Sequence, residues 1–115
     1  MANTFKVITK AGVTSSDVIY TVASSTTTII LGLMLGNTTS GSSNATVTLG
    51  TDTANRAGAN NEANQDVELL TTTAIAGNTT LEILSGNKVV METTDTLSVT
   101  GSAALDVVLS VMEIT

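Results

Sequence analysis

Apolar and polar residues alternate in one segment after another of this chain, which is the pattern of β-strands that bury one face. Apolar residues recur two apart at 18–22 and again at 45–49. Further strands are predicted at Val67–Ala76, Leu81–Leu84, Lys88–Glu92, Thr96–Thr100 and Leu105–Ile114. Turn signals made of Gly, Asn and Ser separate the strands at spacings of roughly eight to twelve residues, which favours a sandwich or a barrel over an α/β fold. We therefore expect one all-β domain over residues 1–115.

The longest candidate strand, at about 28–36, is apolar on both faces, so we expect it near the centre of a sheet. One face is predicted to carry Ile29, Leu31, Leu33 and Leu35. The other is predicted to carry Thr28, Ile30, Gly32, Met34 and Gly36. The segment LEILSGNKVV, residues 81–90, alternates on both sides of the short connection Ser85-Gly86-Asn87. A short connection that contains Gly predicts a β-hairpin at this position.

The final candidate strand is also apolar on both faces. Its first face carries Leu105, Val107, Leu109 and Val111, and its second carries Val108, Met112 and Ile114. One interpretation is a central strand covered on both faces, or a bulge. The other is that the second face is buried against another subunit, together with part of the N-terminal strand. The candidate interface residues in that case are Phe5, Val7, Val108, Met112 and Ile114.

A polar segment at about 50–66 contains no apolar side chain larger than Ala between its ends and is predicted to be an exposed loop inserted in the domain. It offers oxygen atoms that a hard cation such as calcium would accept. These belong to Asp52, Asn55, Asn60, Asn61, Glu62 and Asp66. Their spacing does not follow the twelve-residue calcium loop of the EF-hand. A plain loop is therefore favoured, and we assign no metal or cofactor site.

The amino-acid composition excludes most of the common kinds of catalytic site. The chain has no Cys and no His, which excludes a Ser/His/Asp triad, a Cys/His dyad and zinc sites built on these ligands. It also lacks the Gly-rich phosphate-binding motifs. A carboxylate pair for glycoside hydrolysis would have to come from Glu82, Glu92 and Asp95. Such residues in exposed strands and turns are usually solvated, and only 2% of the chain is aromatic and able to stack on a sugar. We predict that the protein is not an enzyme and has no catalytic residues.

Charge and apolar content also limit the partners. The few cations are Lys6, Lys10, Arg56 and Lys88. They are scattered in a chain of net charge −6, whereas nucleic-acid binding needs clustered cations. The longest apolar run, 29–35, is broken by Gly32 and is far shorter than the ~20 residues of a membrane span. The first residues, MANTFKVITK, lack the apolar run of a secretory signal. We expect no nucleic-acid partner, no membrane partner, and synthesis in the cytoplasm.

The core has to be built from aliphatic side chains with almost no aromatic rings, which indicates self-association. The chain contains 23 Thr and 11 Ser but only one Tyr and one Phe, so Val, Ile, Leu, Ala and Met must fill the interior. Such a core gives limited stability, and the low charge leaves neutral faces suited to packing. Oligomerisation would bury the second face of the final strand and stabilise the fold by mass action. We therefore predict a homo-oligomer.

Three segments resemble a group of small virion structural proteins from tailed bacteriophages, particularly marine ones. They are the opening MANTF, the central AIAGNTTLEILSGNKVVMETTDTLSV and the closing DVVLSVMEIT. The residues that match the turns and strands of that group are Gly77, Gly86, Lys88–Glu92 and Asp95. Thr94 stands where the group has Gly, which raises the question of how tight that turn is. Residues 50–65 resemble a divergent insertion.

The resemblance implies an antiparallel β-sandwich or jelly-roll placed on the virion. Within that group we favour capsid decoration, also called a cement role, in which the protein binds the outer capsid surface and bridges neighbouring shell subunits. The implied partners are the major capsid protein or other virion proteins, and the implied location is the virion. The alternative is a component of the tail, neck or fibre, followed by a carbohydrate-binding adhesion module.

Overall fold

The computed structural model describes residues 2–52 and 64–115, and within these ranges the protein consists of β-strands, turns and bends. The strands are β1 (Asn3–Val13), β2 (Asp17–Thr21), β3 (Thr27–Asn37), β4 (Ser43–Gly50), β5 (Asp66–Ile75), β6 (Thr80–Glu82), β7 (Val89–Met91), β8 (Thr96–Gly101) and β9 (Leu105–Ile114). All the strand pairs are antiparallel.

The strands form two sheets. Sheet I has the order β1-β9-β3-β6, with β7 also paired to β3, and sheet II has the order β2-β8-β4-β5. Strands β6 and β7 lie end to end along the same edge of β3, where Leu81 faces Leu35 and Val90 faces Ile29. Taken as one interrupted strand, they give two four-stranded sheets, which is the eight-strand arrangement of a jelly-roll. The predicted fold class, an antiparallel β-sandwich of jelly-roll type, is confirmed.

The prediction of a hairpin at LEILSGNKVV is wrong. Both halves of this segment pair with β3 in the same direction, so the connection between them leaves the sheet edge and returns to it without reversing the chain. Ser85 and Gly86 have positive φ angles of 49° and 86°, and the Asn87 amide donates a 2.8 Å hydrogen bond to the Leu84 carbonyl. A Gly-containing turn with positive φ angles occurs in a loop that leaves and rejoins one sheet edge as well as in a hairpin. The local pattern therefore could not distinguish the two.

The predicted faces of β3 are also corrected, because a bulge lies in this strand. Its register with β9 shifts between Ile30 and Gly32. Before the shift, Ile30 is fully buried and Ile29 points away from the core; after it, Leu33 and Leu35 are fully buried. One extra residue exchanges the two faces of a strand. Ile29 is therefore on the opposite face from Leu33, not on the same one.

The core lies between the two sheets and is aliphatic. Strand β9 supplies the buried residues Leu105, Val107, Leu109 and Val111, and sheet II supplies Ala45, Val47, Leu97 and Val99 from its central strands. Met91 of β7 is also fully buried. Tyr20, which is partly buried, packs against this cluster from its edge. The aromatic-poor interior expected from the composition is thus what the described residues contain.

A tight turn between β7 and β8 is held by a buried carboxylate. Asp95 is 1% exposed, and its side chain accepts the amide hydrogens of Asp52 at 3.1 Å and Glu92 at 3.0 Å. The Asp95 amide donates to the Glu92 carbonyl at 3.0 Å, and Thr94 has a φ of 70°. The turn is therefore closed with Thr94 in the left-handed region where glycine is favoured.

The predicted loop at about 50–66 falls largely outside the described residues. Strand β4 ends at Gly50 and β5 begins at Asp66, whereas residues 53–63 are not described. Four of the candidate cation ligands, Asn55, Asn60, Asn61 and Glu62, lie in that range. The plain exposed loop, without an assigned metal site, therefore remains a prediction.

Candidate interaction surface

The outer surface of sheet I is formed by side chains of β9 and of the two strands beside it, β1 and β3. Leu109 and Val111 of β9 are buried against sheet II, so the residues between and beside them point away from the core. The outward side chains of β1 and β3 lie in register with these residues of β9. Residues that face each other across neighbouring strands lie on the same side of the sheet.

One row of outward side chains is apolar across the whole sheet. Phe5 of β1 faces Met112 of β9, Met112 faces Ile29 of β3, and Ile29 faces Val90 of β7. A second row pairs Val108 of β9 with Met34 of β3. We call this surface the apolar face; it consists of Phe5, Val7, Ile29, Met34, Val90, Val108, Met112 and Ile114.

Several large side chains of the apolar face are open to solvent. Phe5 is 70% exposed, Val7 63%, Val90 59% and Met34 41%. The other members are partly exposed. Scattered exposed apolar residues are normal on a protein surface, whereas a contiguous patch marks an interaction site. The four residues of the first row are direct cross-strand neighbours, and so are Val108 and Met34. Between these two rows lies one row in which Val7 faces Ser110 and Ser110 faces Gly32, so the apolar face consists of two apolar rows on either side of a mixed one.

All five predicted interface residues lie on the apolar face. Phe5 and Val7 come from β1, and Val108, Met112 and Ile114 come from β9. Strand β9 is central in sheet I, as one interpretation held, but no element among the described residues covers its outer side. The structure thus brings the five together on an open face; their role in contacts between subunits stays a prediction.

Three members of the apolar face were not predicted as interface residues. Ile29 was assigned to the other face of its strand, because the bulge after Ile30 is not visible in the sequence. Met34 was correctly placed on the face of β3 opposite Leu33 and Leu35, but both faces of this strand were expected to be covered. Val90 was read as part of a hairpin. The alternation around each residue was correct locally, and only the sheet partners were missing.

The opposite surface of the molecule carries hydroxyl groups. On the outer side of sheet II, Thr46 faces Thr100 and Thr48 faces Ser98. These side chains have both donors and acceptors for water. The outer side of sheet II also carries Val18, which is 55% exposed and faces Ser98, and Glu68, which faces Thr48. The two outer surfaces therefore differ in chemistry: sheet I presents mainly apolar side chains, and sheet II mainly hydroxyl groups.

Two carboxylates of sheet I lie on the same side of the sheet as the apolar face. Glu82 faces Met34 across β6 and β3, and its side chain also accepts the amide hydrogen of Ser85. Asp106 of β9 accepts the Gly12 amide hydrogen at 3.0 Å. Both carboxylates are thus held by backbone donors of the same chain. Asp106 faces Gly36 at the limit of the apolar face. The Glu82 carboxylate lies within it, because its Oε2 atom is 3.7 Å from the position of a Cβ on Gly32, between Ile29 and Met34.

A polar contact joins the two sheets beside β1. Tyr20 of β2 donates a hydrogen bond to Glu113 of β9, and the Lys6 amino group of β1 lies 2.8 Å from the same carboxylate. The Tyr20 and Thr28 hydroxyls are 2.8 Å apart. Burial, together with the bond to Glu113, raises the pKa of Tyr20 to about 12. The bonds from Lys6 and Tyr20 hold the pKa of Glu113 below its ordinary value of 4.5. The carboxylate is therefore charged and satisfied at neutral pH.

The candidate carboxylates for glycoside hydrolysis do not form a pair. Glu82 ends β6 and Glu92 follows β7, so they lie along one edge of β3 and not in the two adjacent strands that the predicted hairpin would have formed. Asp95 is buried and holds two backbone amides. Among residues 2–52 and 64–115 there is no group of three or more Asp and Glu that could hold a metal ion, and no pocket.

No helix in the described part of the chain is long and apolar enough to cross a membrane.

Comparison with known proteins assigns no family. No protein family matches the chain, and no curated protein matches it. A solved structure of Bacillus endospore appendages, described as a novel family of disulfide-linked pili, contains a similar chain. The two share 15% sequence identity with a TM-score of 0.49, over 97% of this chain and 84% of that chain. This similarity is too low to assign a function.

Proposed function

We propose that the protein is a non-enzymatic structural protein of a bacteriophage virion, and that it decorates the outer capsid surface as a cement protein. The observation that carries this proposal is the apolar face of sheet I on a domain whose opposite surface is rich in hydroxyl groups. A protein with these two surfaces can dock on a shell through one and face water with the other. The resemblance of its segments to virion proteins gives the class of partner: the major capsid protein or another virion protein.

The apolar face supplies a modest docking energy for each copy. Burying a large aliphatic or aromatic side chain completely stabilises by about 1.5–3 kcal/mol. Scaled by their exposed fractions, Phe5, Val7, Met34 and Val90 give about 5 kcal/mol before the cost of association is subtracted. Such a contact is weak for a single copy. It becomes effective when copies are linked and several sites on a shell are occupied together.

The role on the shell is tested by copy number. The protein is measured by quantitative mass spectrometry against the major shell protein in purified particles. A copy number comparable to that of the shell protein supports decoration. A few copies, in a multiple matching the symmetry of the tail, would assign the protein to the tail, neck or fibre. Absence from particles would remove the virion role and favour an adhesion module.

The docking face is tested by a pair of charge substitutions. Met112→Asp places a carboxylate in the middle row of the apolar face, whereas Thr100→Asp places one on the outer side of sheet II. Purified variants are added to particles that lack the protein, and bound protein and the temperature of shell disruption are measured. We expect Met112→Asp to abolish binding and heat protection and Thr100→Asp to retain both. Equal binding of the two variants would exclude the apolar face as the docking site.

A further inference from the structure

The edges of the two sheets differ in regularity. In sheet II, the edge strand β2 has a register shift between Val18 and Tyr20, and β5 pairs with β4 through two shifts. In sheet I, the edge formed by β6 and β7 is interrupted. The fourth edge strand, β1, pairs with β9 without a shift from Asn3 to Lys10. Bulges, interruptions and edge lysines are among the devices that prevent edge strands from pairing with other chains. Over this stretch β1 has neither a bulge nor an interruption, and it carries the lysines Lys6 and Lys10.

The hydrogen bonds at the start of β1 show which of its backbone groups are free. Ala2 and Thr115 exchange two hydrogen bonds, of 3.2 and 3.0 Å. Such pairs alternate along an antiparallel ladder with pairs that exchange none. The intervening residues of β1 therefore direct their N–H and C=O groups away from β9, where no described element lies. They are Asn3, Phe5, Val7 and Thr9.

The same residues place their side chains on the outer surface of sheet I, so the open edge is continuous with the apolar face. Phe5 and Val7 are its two most exposed members. The cations of β1 are occupied within the chain: the Lys6 amino group lies 2.8 Å from Glu113, and that of Lys10 lies 3.5 Å from Asp17. The edge thus combines unpaired backbone groups, exposed apolar side chains and neutralised charges.

We propose that β1 pairs in antiparallel fashion with β1 of a second copy of this chain, so that the two copies of sheet I become one continuous sheet. A strand that pairs with its own copy around a two-fold axis makes a closed, self-complementary contact. An axis at Lys6 would set two lysines opposite each other, which disfavours that register. An axis at Phe5 sets the two Phe5 rings side by side and Val7 opposite Asn3 of the second copy.

The pairing has a consequence for docking. A two-fold axis perpendicular to the sheet keeps the outer surfaces of both copies on the same side. The two apolar faces then form one surface of twice the extent, and the second copy binds with the effective concentration of a linked site. This inference goes beyond the proposed function and does not depend on it, because it is tested on the isolated protein in solution.

The decisive variant is Val7→Pro. Because the Val7 amide points away from β9, proline removes a donor that only the second copy would use, and edge strands tolerate proline at such positions. Val7→Thr is the matched control, since it keeps the amide and the β-branched shape. Molar mass is measured by sedimentation equilibrium over a range of concentrations, and folding is checked by circular dichroism. We expect dimers for the wild type and Val7→Thr, and a folded monomer for Val7→Pro. A monomeric wild type, or a dimeric Val7→Pro, would overturn the proposal.

The register is tested with single cysteines in a chain that has none. The register proposed here brings the two Phe5 Cα atoms to about 5.5 Å, within the range that a disulfide bridges. Phe5→Cys should therefore form a covalent dimer on mild oxidation. Thr9→Cys and Met112→Cys should not, because in this register both pairs are too far apart. Cross-linking of Met112→Cys would show that the apolar faces stack on each other, and would overturn edge pairing.

Discussion

Replacing Thr94 by Gly should stabilise the protein. Thr94 lies in the turn between β7 and β8 with a φ of 70°, in the left-handed region that β-branched residues rarely adopt. The turn is fixed from both sides, because the Thr94 amide donates to Val22 and the Asp95 amide donates to Glu92, each at 3.0 Å. The backbone therefore cannot relax without losing these bonds. Glycine would adopt the same conformation without the contact between Cβ and the backbone.

The expected gain follows from two opposing terms. The left-handed conformation costs a residue with a Cβ roughly 1–2 kcal/mol. Glycine removes this cost, but it loses more conformational entropy on folding than threonine does, which destabilises the variant by about 0.5–1 kcal/mol. The Thr94 hydroxyl donates to the Thr93 carbonyl at 2.6 Å, but this exposed bond can be replaced by water. We expect the free energy of unfolding to rise by about 0.5–1 kcal/mol, and Tm to rise by about 2–4 °C.

The assay is thermal and denaturant unfolding of Thr94→Gly beside Thr38→Gly. Thr38 is exposed, lies outside the strands and has a negative φ, so glycine there gives the entropic cost without the relief of strain. We expect Thr94→Gly to be more stable than the wild type and Thr38→Gly to be less stable. If both variants lose stability to the same extent, the strain assigned to Thr94 is not present in the protein.

Three further predictions concern a glycine, a buried acid and the polar contact between the sheets. A Cβ on Gly77 would overlap the Ser40 carbonyl oxygen, so Gly77→Ala should destabilise by about 1–3 kcal/mol in denaturant unfolding. Asp95→Asn replaces one acceptor of a backbone amide by a donor and should cost about 1–3 kcal/mol in the same assay. Glu113, whose native pKa lies below 4.5, contributes stability above that pH and loses it as the pH falls through its native pKa. Tyr20 contributes stability below pH 10.0 that is lost as the pH rises towards its native pKa of about 12, and Glu113→Gln should weaken both dependences.

Each of these three has a control or an opposing outcome. Gly41 has open space around the position of a Cβ and no positive φ, so Gly41→Ala should leave stability unchanged or raise it. Equal losses from Gly41→Ala and Gly77→Ala would contradict the steric argument. For Asp95, wild-type stability of the Asn variant would mean that its amide contacts contribute nothing. For the polar contact, an unchanged dependence on pH in Glu113→Gln would assign that dependence to other groups.

Much of the fold follows from patterns within the sequence. In each strand the side chains point to alternate faces with a period of two residues, and this alternation is visible in the order of residues along the chain. The strands around Val47, Leu97 and Leu109 were therefore predictable. The same repeat separated Val108 and Met112 from the core residues of β9. The candidate interface was accessible from the sequence for this reason, because an apolar residue on the polar side of a strand is visible without knowing the partners.

What the sequence did not reveal depends on contacts between distant residues. The bulge after Ile30 is defined by the register of β3 against β9, and it decides that Ile29 joins the apolar face. The contact between Tyr20 and Glu113 joins residues that are 93 positions apart. Pairing with β3 decides that LEILSGNKVV continues along one edge instead of turning back.

The amino-acid sequence by itself determined that the chain forms strands, that its core is aliphatic, and which residues of β9 point away from that core. Only the tertiary structure decided that Phe5, Met112, Ile29 and Val90 form one row, and that β1 is the regular open edge. The physical reason is that alternation is a property of one strand, whereas a face and an edge are properties of a sheet. Bulges and strand order assemble the sheet, and both are set by hydrogen bonds between segments far apart in the chain.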